Sequence, residues 1–547
     1  MDWSTVGAVA LATHVPVVAH PSDMSDYLPA IDSLPFDEGP LEGQISLSGE
    51  SPNSVPVALI RSPTQESIEP TSNRRHRDSP IYTLNGDVLL NIFHLYRLAH
   101  PDEYEDEIDG LTINWSRQRW WYHLTHVCRL WRDIILGSPS QLDLHLFCAQ
   151  GVPVADMLAH SPALPLTIFY HHFDREITAE DESGILLALS HHERVRRIWF
   201  WLPPNLGKIS AAMGDQFPVL EHTFIHSRTE MVLPVTFQAP NLRHLLLSTA
   251  FLPIPSPLLT ATAGLVTLYL HNIPASASFP PSYILIRLSL MAQLEELSIA
   301  FKSPLPNLDV VRQLHQTPSI TQVTLPKLRR FVFQGTATYL EGLVAWISAP
   351  SLSSLGVNLY SQLSFTVPHL LQFMETSENL RFSAIKITFY AFAVFLMAEP
   401  LNNPPLQLYI MCRHLDWQVS AAVQVLGALS PVFSVVEQVT LAHEEHDQSS
   451  EWHNDVDQRL WRELLRPFTN TETVHVQDDL VDKIFRSLLS DDGEPPLELL
   501  PNLEEVGYSG GLNARDTLNA FVDVRRVAGH PVSLRLVDDS MFLDGSR

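Results

Sequence analysis

Cysteine is scarce: Cys128, Cys148 and Cys412 are the only three in 547 residues. They are too few and too scattered for a disulfide framework or a CxxC zinc site, and an odd set of distant thiols fits a reducing compartment, cytoplasmic and/or nuclear. Basic residues are also few, 35 against 61 acidic ones, for a formal net charge of −26. That balance excludes a nucleic-acid binder, which grips phosphates with clustered Lys and Arg, and it argues equally against an anionic membrane surface. Long hydrophobic runs are missing as well. AIKITFYAFAVFLMA (384–398) contains Lys386 and is shorter than the ~20 residues a bilayer needs. VSAAVQVLGALSPVFSVV (419–436) is broken by Gln424 and Pro431. Both read as buried helix or strand. The apolar VGAVALATHVPVVAH follows an acidic Met1-Asp2 start with no basic region before it, which is not the pattern of a secretory signal.

Enzyme signatures are lacking. No GxGxxG, P-loop, GxSxG elbow or HExxH is present, so no catalytic residue and no cofactor are expected. The one dense His/Glu cluster, HEEHDQSSEWH (443–453), offers His443 and His446 without a third ligand, and no metal is expected there. The doublets His171-His172 and His191-His192 read as surface or turn residues.

What is present is a large apolar fraction, 45%, in a chain long enough for two to four domains. Residues 1–80 read as a disordered tail, with SPNSVP and SPTQESIEPTSN too poor in periodic apolar residues to offset ordering entropy. The tail ends in Arg74-Arg75-His76-Arg77, a nuclear import signal or a solvated charge cluster. Ser51, Ser62 and Ser79 each precede proline and are open to phosphorylation.

Order begins near Ile81. Leu84, Val88, Ile92 and Tyr96, flanked by Leu89 and Phe93, form one helical stripe, with Asn85 or Asp87 to cap it. An acidic insertion follows, about residues 97–120. A second helix then spans YHLTHVCRLWRDIILGSP, where Leu124, Val127, Cys128, Trp131, Ile134 and Ile135 share one face and Gly137 with Pro139 ends it. QLDLHLFC alternates like a strand.

From about residue 190 a pattern of apolar, two polar, apolar, any, apolar recurs. It runs through VRRIWF, LEHTFI, LRHLLL, LVTLYL, LEELSI, LRRFVF, LSSLGV, FSAIKI, VEQVTL and LEEVGY, with weaker copies in PLQLYI and TETVHV. Start-to-start steps of 25, 22, 23, 29, 34, 24 and 30 are solenoid spacings. The last two apolar positions share a strand face, and the first sits where a turn enters. Several turns carry proline, as in FPVLEH, APNLRH and LPNLEE, which suits the entry to a strand in a stack. The intervening segments are long enough for helices. Glu296, Arg330, Ser354 and Glu505 should face solvent, and the overall acidity points to a target with a basic patch.

LNGDVLLNIF followed by LTHVCRLWRDIILGSPSQL resembles the F-box, and its pairing with irregular leucine-rich-repeat-like strings resembles fungal F-box proteins. The family's usual Pro is Asn85 here, about 25 extra residues part the two halves, and the closing tryptophan is absent from QLDL. The resemblance implies an α/β chain arranged as 1–80 tail, 81–146 F-box domain, 147–190 connecting segment and 191–540 leucine-rich-repeat-like solenoid. It implies a non-catalytic substrate receptor of an SCF-type (cullin-RING) ubiquitin ligase. Leu84, Val88, Leu89, Ile92, Phe93, Leu124, Val127, Trp131 and Ile134 would dock the Skp-family adaptor, and the repeats would hold an unknown protein substrate. Which of these nine face the adaptor and which face the motif's interior, sequence leaves open. A scaffold whose F-box-like segment has lost its ligase coupling is the other reading, suggested by Asn85 and the insertion.

Overall fold

The computed structural model describes residues 84–99, 120–171, 177–202, 207–253, 256–304, 322–360, 365–377, 379–399, 406–443, 456–489, 499–509 and 513–538. The 1–80 tail, residues 100–119 of the acidic insertion and His446 therefore lie outside the described residues, while the ends of the expected insertion, 97–99 and Trp120, belong to helices. The chain divides into two compact units, one holding the helices of 84–99 and 120–138, the other running from Pro139 onward.

The first unit has three helices, α1 (Gly86–Ala99), α2 (Trp120–Thr125) and α3 (Arg129–Gly137). Asn85 opens α1 by accepting the Asp87 backbone N–H at 3.3 Å on Oδ1. The single helix expected over YHLTHVCRLWRDIILG is broken in two. Cys128 is extended (φ −159°, ψ 168°) and caps α3, its Sγ accepting the Trp131 N–H at 3.4 Å. The break swings Val127 off the shared face and leaves it 56% exposed. Arg132 Nε closes the corner by donating to the Thr125 carbonyl at 3.0 Å.

The second unit is built on one long sheet. Its strands are β1 (Leu146–Ala149), β2 (Leu166–His171), β3 (Val195–Leu202), β4 (His222–Val232), β5 (His244–Phe251), β6 (Thr267–Ile273) and β7 (Glu296–Phe301). After them come β8 (Val323–Thr324), β9 (Arg330–Gly335), β10 (Ile347–Ser348), β11 (Ser354–Leu359), β12 (Ala384–Tyr390), β13 (Ala393–Glu399) and β14 (Leu406–Met411). β15 (Gln438–His443), β16 (Thr473–Val476), β17 (Glu505–Tyr508) and β18 (Ser533–Leu536) complete the set. Sixteen strands form a single sheet in the order 1-2-3-4-5-6-7-9-11-14-13-12-15-16-17-18, while β8 and β10 pair separately. Neighbours are parallel except β13, which is antiparallel to both β12 and β14. This is a mixed α/β architecture with a long, mostly parallel sheet, consistent with a strand-and-helix solenoid.

The last four residues of every repeat string lie on a strand, with the first apolar residue at or just before its start, and the apolar positions form rows. Leu242, Leu265, Leu294, Leu328 and Leu352 make the entry row, all fully buried; Leu245, Leu268, Leu297, Phe331 and Leu355 make the next. Register is direct, Leu268 opposite Leu297 and Leu297 opposite Phe331. Helices cover these rows. Phe331 meets Phe373 of α6 (Pro368–Glu375), and Phe333 stacks on Tyr339 of α5 (Ala337–Val344), both at ring distances of 5.9 Å; α4 is Pro281–Leu288 and α7 is Leu415–Ala428. The proline turns are stapled in sequence. Asn241 donates to the Pro218 carbonyl at 2.6 Å and Ser351 to that of Pro326 at 2.7 Å.

Two features depart from the repeat reading. The sheet starts at Leu146, so β1 and β2 belong to the segment expected as a connector; their strings LFC and LTIFY are short, continuously apolar strands rather than copies of the pattern. The run 384–398 folds as the β12–β13 hairpin, and β14 returns beside β11, out of chain order. Helix α7 then leads the chain on to β15. Gln418 in its first turn, fully buried, donates to the Tyr390 and Cys412 carbonyls at 2.8 and 2.9 Å, tying the helix to the hairpin.

Candidate interaction surfaces

In the helical unit, α1 is a two-sided helix. Leu89 and Phe93 are buried, 0% and 1% exposed, and Phe93 meets Trp131 edge to face at 5.0 Å. The adjoining edge presents Val88, Ile92 and Leu95, with Leu84 just before the helix, each between 37% and 63% exposed. Of the nine residues singled out from sequence, Leu84, Val88, Ile92 and Val127 are thus on the surface. Leu89 and Phe93 are interior, and Leu124, Trp131 and Ile134 are half-buried. Leu95 and Tyr122 add to the exposed apolar set; the step of three from Ile92 to Leu95 carries the stripe on.

In the sheet, the face opposite the buried rows is the second surface. Glu296, Arg330, Ser354 and Glu505 lie on it, half-buried, and Glu296, Arg330 and Ser354 stand in one registered row. Two apolar clusters interrupt its polar character. Phe147, Phe169, Trp199 and Phe224 succeed one another across β1–β4, with Trp199 stacked on Phe169 at 6.0 Å and on Phe224 at 4.2 Å. Ala393, Phe395, Met397 and Tyr409 form the other cluster on β13 and β14. Trp199, Phe224 and Tyr409 stand at the "any" position of the pattern, which the repeat reading leaves unassigned, while Phe147, Phe169 and Phe395 lie outside the repeat strings.

Between the clusters lies a polar belt. His222 and His244 stack face to face at 4.4 Å, His244 Nδ1 is 3.1 Å from Thr267 Oγ1, and Tyr269 donates its hydroxyl proton to Glu296. Burial, helped by His244, Arg197 and Arg196 and opposed by Asp143, pushes His222 down to about 3; burial also lowers His244, against the pull of Glu296 and Glu221. Both rings are therefore neutral at pH 7. The unfolded chain binds protons on them below pH 6.5 while the folded chain does not, so stability falls as pH drops from 6.5 towards 3. Urea unfolding at pH 7 and pH 5 should show a loss that His222→Gln reduces.

The strand-entry rim has its own charge pattern. Arg196, Glu221, Arg243, Val266, Glu295 and Arg329 follow one another through linked backbones, their charges alternating except at the uncharged Val266, and Arg196 bonds Glu221 at 3.0 Å. Further along, Glu437, Glu472 and Glu504, each just before its strand β15, β16 or β17, follow one another with the same backbone linkage, all exposed. Neighbouring strands run ~4.8 Å apart, so three glutamates at equivalent entry positions make this stretch locally acidic. Nearby, Gly507 lets the His475 ring lie across β17, where Gln438 holds it at 3.2 Å. A Cβ at Gly507 would overlap His475 and come within 2.9 Å of Val537 Cγ2. Gly507→Ala should cost about 1–3 kcal/mol in urea unfolding.

His443 lies buried at the end of β15, where its backbone N–H donates to Gln477 Oε1 at 2.7 Å. Among the described residues no group of three His, Cys, Asp or Glu side chains could hold a metal ion, and no helix is long and apolar enough to cross a membrane. His191 ends the helix Ala179–Ser190, whereas His192 is half-buried.

No family model matches the chain, and no curated protein matches it. Among solved structures, the leucine-rich repeat-containing protein LegL7 from Legionella pneumophila aligns over 71% of this chain and 99% of its own, at 10% identity and a TM-score of 0.25. The repeat architecture rests on the strand order and the stacked rows, independently of that alignment.

Proposed function

We propose that the chain is the substrate-recognition subunit of an SCF-type ubiquitin ligase, non-catalytic itself, acting in the cytoplasm and/or nucleus. Its helical unit is an F-box that docks the Skp-family adaptor, and its leucine-rich-repeat-like sheet holds the protein to be ubiquitinated. The observation that carries this reading is the exposed apolar ridge of Val88, Ile92 and Leu95 on α1, continued by Leu84 just before it, beside a buried Leu89 and Phe93. A unit too small for a large private core is expected to share apolar surface with a partner. Burying each ridge residue is worth about 1.5–3 kcal/mol. Asn85, where the family has Pro, supports α1 by capping it. The Glu437, Glu472 and Glu504 rim fits a target with a basic patch.

The competing reading is an interaction scaffold with a degenerate F-box, favoured by the long insertion and by Asn85. The two differ in the fate of a captured protein. Proximity labelling with and without proteasome inhibition should recover proteins that accumulate under inhibition if the chain is a ligase receptor. Captured proteins whose abundance ignores the proteasome would favour the scaffold.

A further inference from the structure

On the sheet face opposite the buried rows, the two apolar clusters are parted by a stretch where most side chains are small. Across β7, β9 and β11 its floor is the registered row Ser298, Val332 and Gly356, with Ala300 two residues beyond Ser298. Tyr269, opposite Ser298 and stacked on His271 at 5.7 Å, bounds it on the β6 side. Tyr409 bounds it on the β14 side, opposite Asn358. A Cβ added at Gly356 would have Val332 as its nearest neighbour, no closer than 3.4 Å, so the floor has room above it there.

Two charged side chains, Glu296 and Arg330, stand in register at the entry side of this floor, yet they do not pair. Glu296 is turned to Tyr269, whose hydroxyl proton it accepts. Among the described residues no carboxylate comes within ion-pair distance of Arg330, and its Nε is buried with no hydrogen-bond partner. Part of the guanidinium has thus left water without an acceptor, a cost that nothing in the free chain offsets. The side chain as a whole is half-buried, which leaves its terminal nitrogens open to a ligand, and Ser354 stands beside it on β11. The local field has the same sign. Burial pushes His271 down to about 4, and His226 and Arg330 push it the same way.

We propose that Arg330 and the low floor beside it seat one carboxylate, the aspartate or glutamate side chain of the protein held on the sheet, with the Ser354 hydroxyl as a second donor. Charge complementarity chooses this occupant: a guanidinium without a counter-ion matches a single negative charge, bound through two parallel N–H donors. A phosphate dianion calls for a cluster of basic side chains, and Glu296 one strand away repels it twice as strongly as it repels a carboxylate. The acidic rim before β15–β17 is a separate surface, which meets basic residues of the same target. The proposal rests on the reading of the sheet as the target-holding surface and names one chemical feature of that target.

The test titrates the full chain, methyl-labelled at Ala and Val, with N-acetyl-glutamate N-methylamide, and with its glutamine counterpart as control at matched ionic strength. Saturable shifts are expected at the Ala300 and Val332 methyls with the glutamate compound only. Arg330→Gln should weaken that binding by about 10-fold or more while leaving the urea midpoint unchanged. Gly356→Leu, which fills the floor and keeps the charge, should block it too and serves if the first variant does not fold. No shift at these methyls, equal shifts with the glutamine compound, binding that survives in a folded variant, or tighter binding of inorganic phosphate would overturn the proposal. Failure here is separable from failure of the receptor reading. An Arg330→Gln chain that captures its target as before sinks the carboxylate site alone, whereas a chain that binds the glutamate compound yet captures no protein sinks the receptor.

Discussion

Glutamate at both Val88 and Ile92 is expected to weaken adaptor binding by at least roughly 100-fold, about 2.7 kcal/mol, while leaving the helical unit folded. The two side chains are 43% and 42% exposed, so the free chain loses little by the change. In a complex both would be covered, and a carboxylate in an apolar contact must be desolvated without a partner. Leu89 and Phe93 provide the contrast. Both are interior, so Leu89→Ala or Phe93→Ala should destabilise the unit itself by about 2–5 kcal/mol. Binding measured alongside circular dichroism separates the two. If Val88 and Ile92 are silent while the unit stays folded, the ridge is not the docking surface.

Leu297→Ala is expected to cost about 3–4 kcal/mol in urea unfolding. Leu297 is fully buried on the interior strand β7, between Leu268 and Phe331, so the cavity opens into both neighbouring repeats. Leu534 occupies the equivalent place on β18, which is bonded only to β17 and partly open to solvent. Leu534→Ala should cost about 1 kcal/mol. In a stack, stability is a sum over nearest-neighbour interfaces, and an interior unit contributes two of them where a terminal unit contributes one. Ser354→Ala, on the opposite face, should change stability by no more than about 0.5 kcal/mol. Equal costs for Leu297 and Leu534 would mean that the rows do not hold the sheet together as described.

The buried rows were legible because their spacing is local: an apolar pair two residues apart preceded by a third reads directly as one strand face. Neighbour relations were not. Residues 384–398 gave an apolar run that fits either helix or strand, and the turn at Ala391-Phe392 has neither Gly nor Asn to announce a hairpin. The return of β14 to β11 depends on contacts far apart in sequence, which no period records. The split of the second F-box-like helix turned on one residue, Cys128, whose sulfur caps a helix in place of the usual oxygen. Periodicity also put Val88, Leu89, Ile92 and Phe93 in one candidate set. A stripe two residues wide cannot say which edge is interior until its packing partner, here Trp131, is located.

Titration of the full chain with the Skp-family adaptor by calorimetry tests the central claim most directly. The account predicts a saturable one-to-one complex with a Kd below roughly 1 μM, a favourable free energy of about 8 kcal/mol or more, lost in the Val88 and Ile92 double variant. No binding by a chain whose helical unit is folded would contradict it and leave the repeat sheet as a scaffold without a ligase.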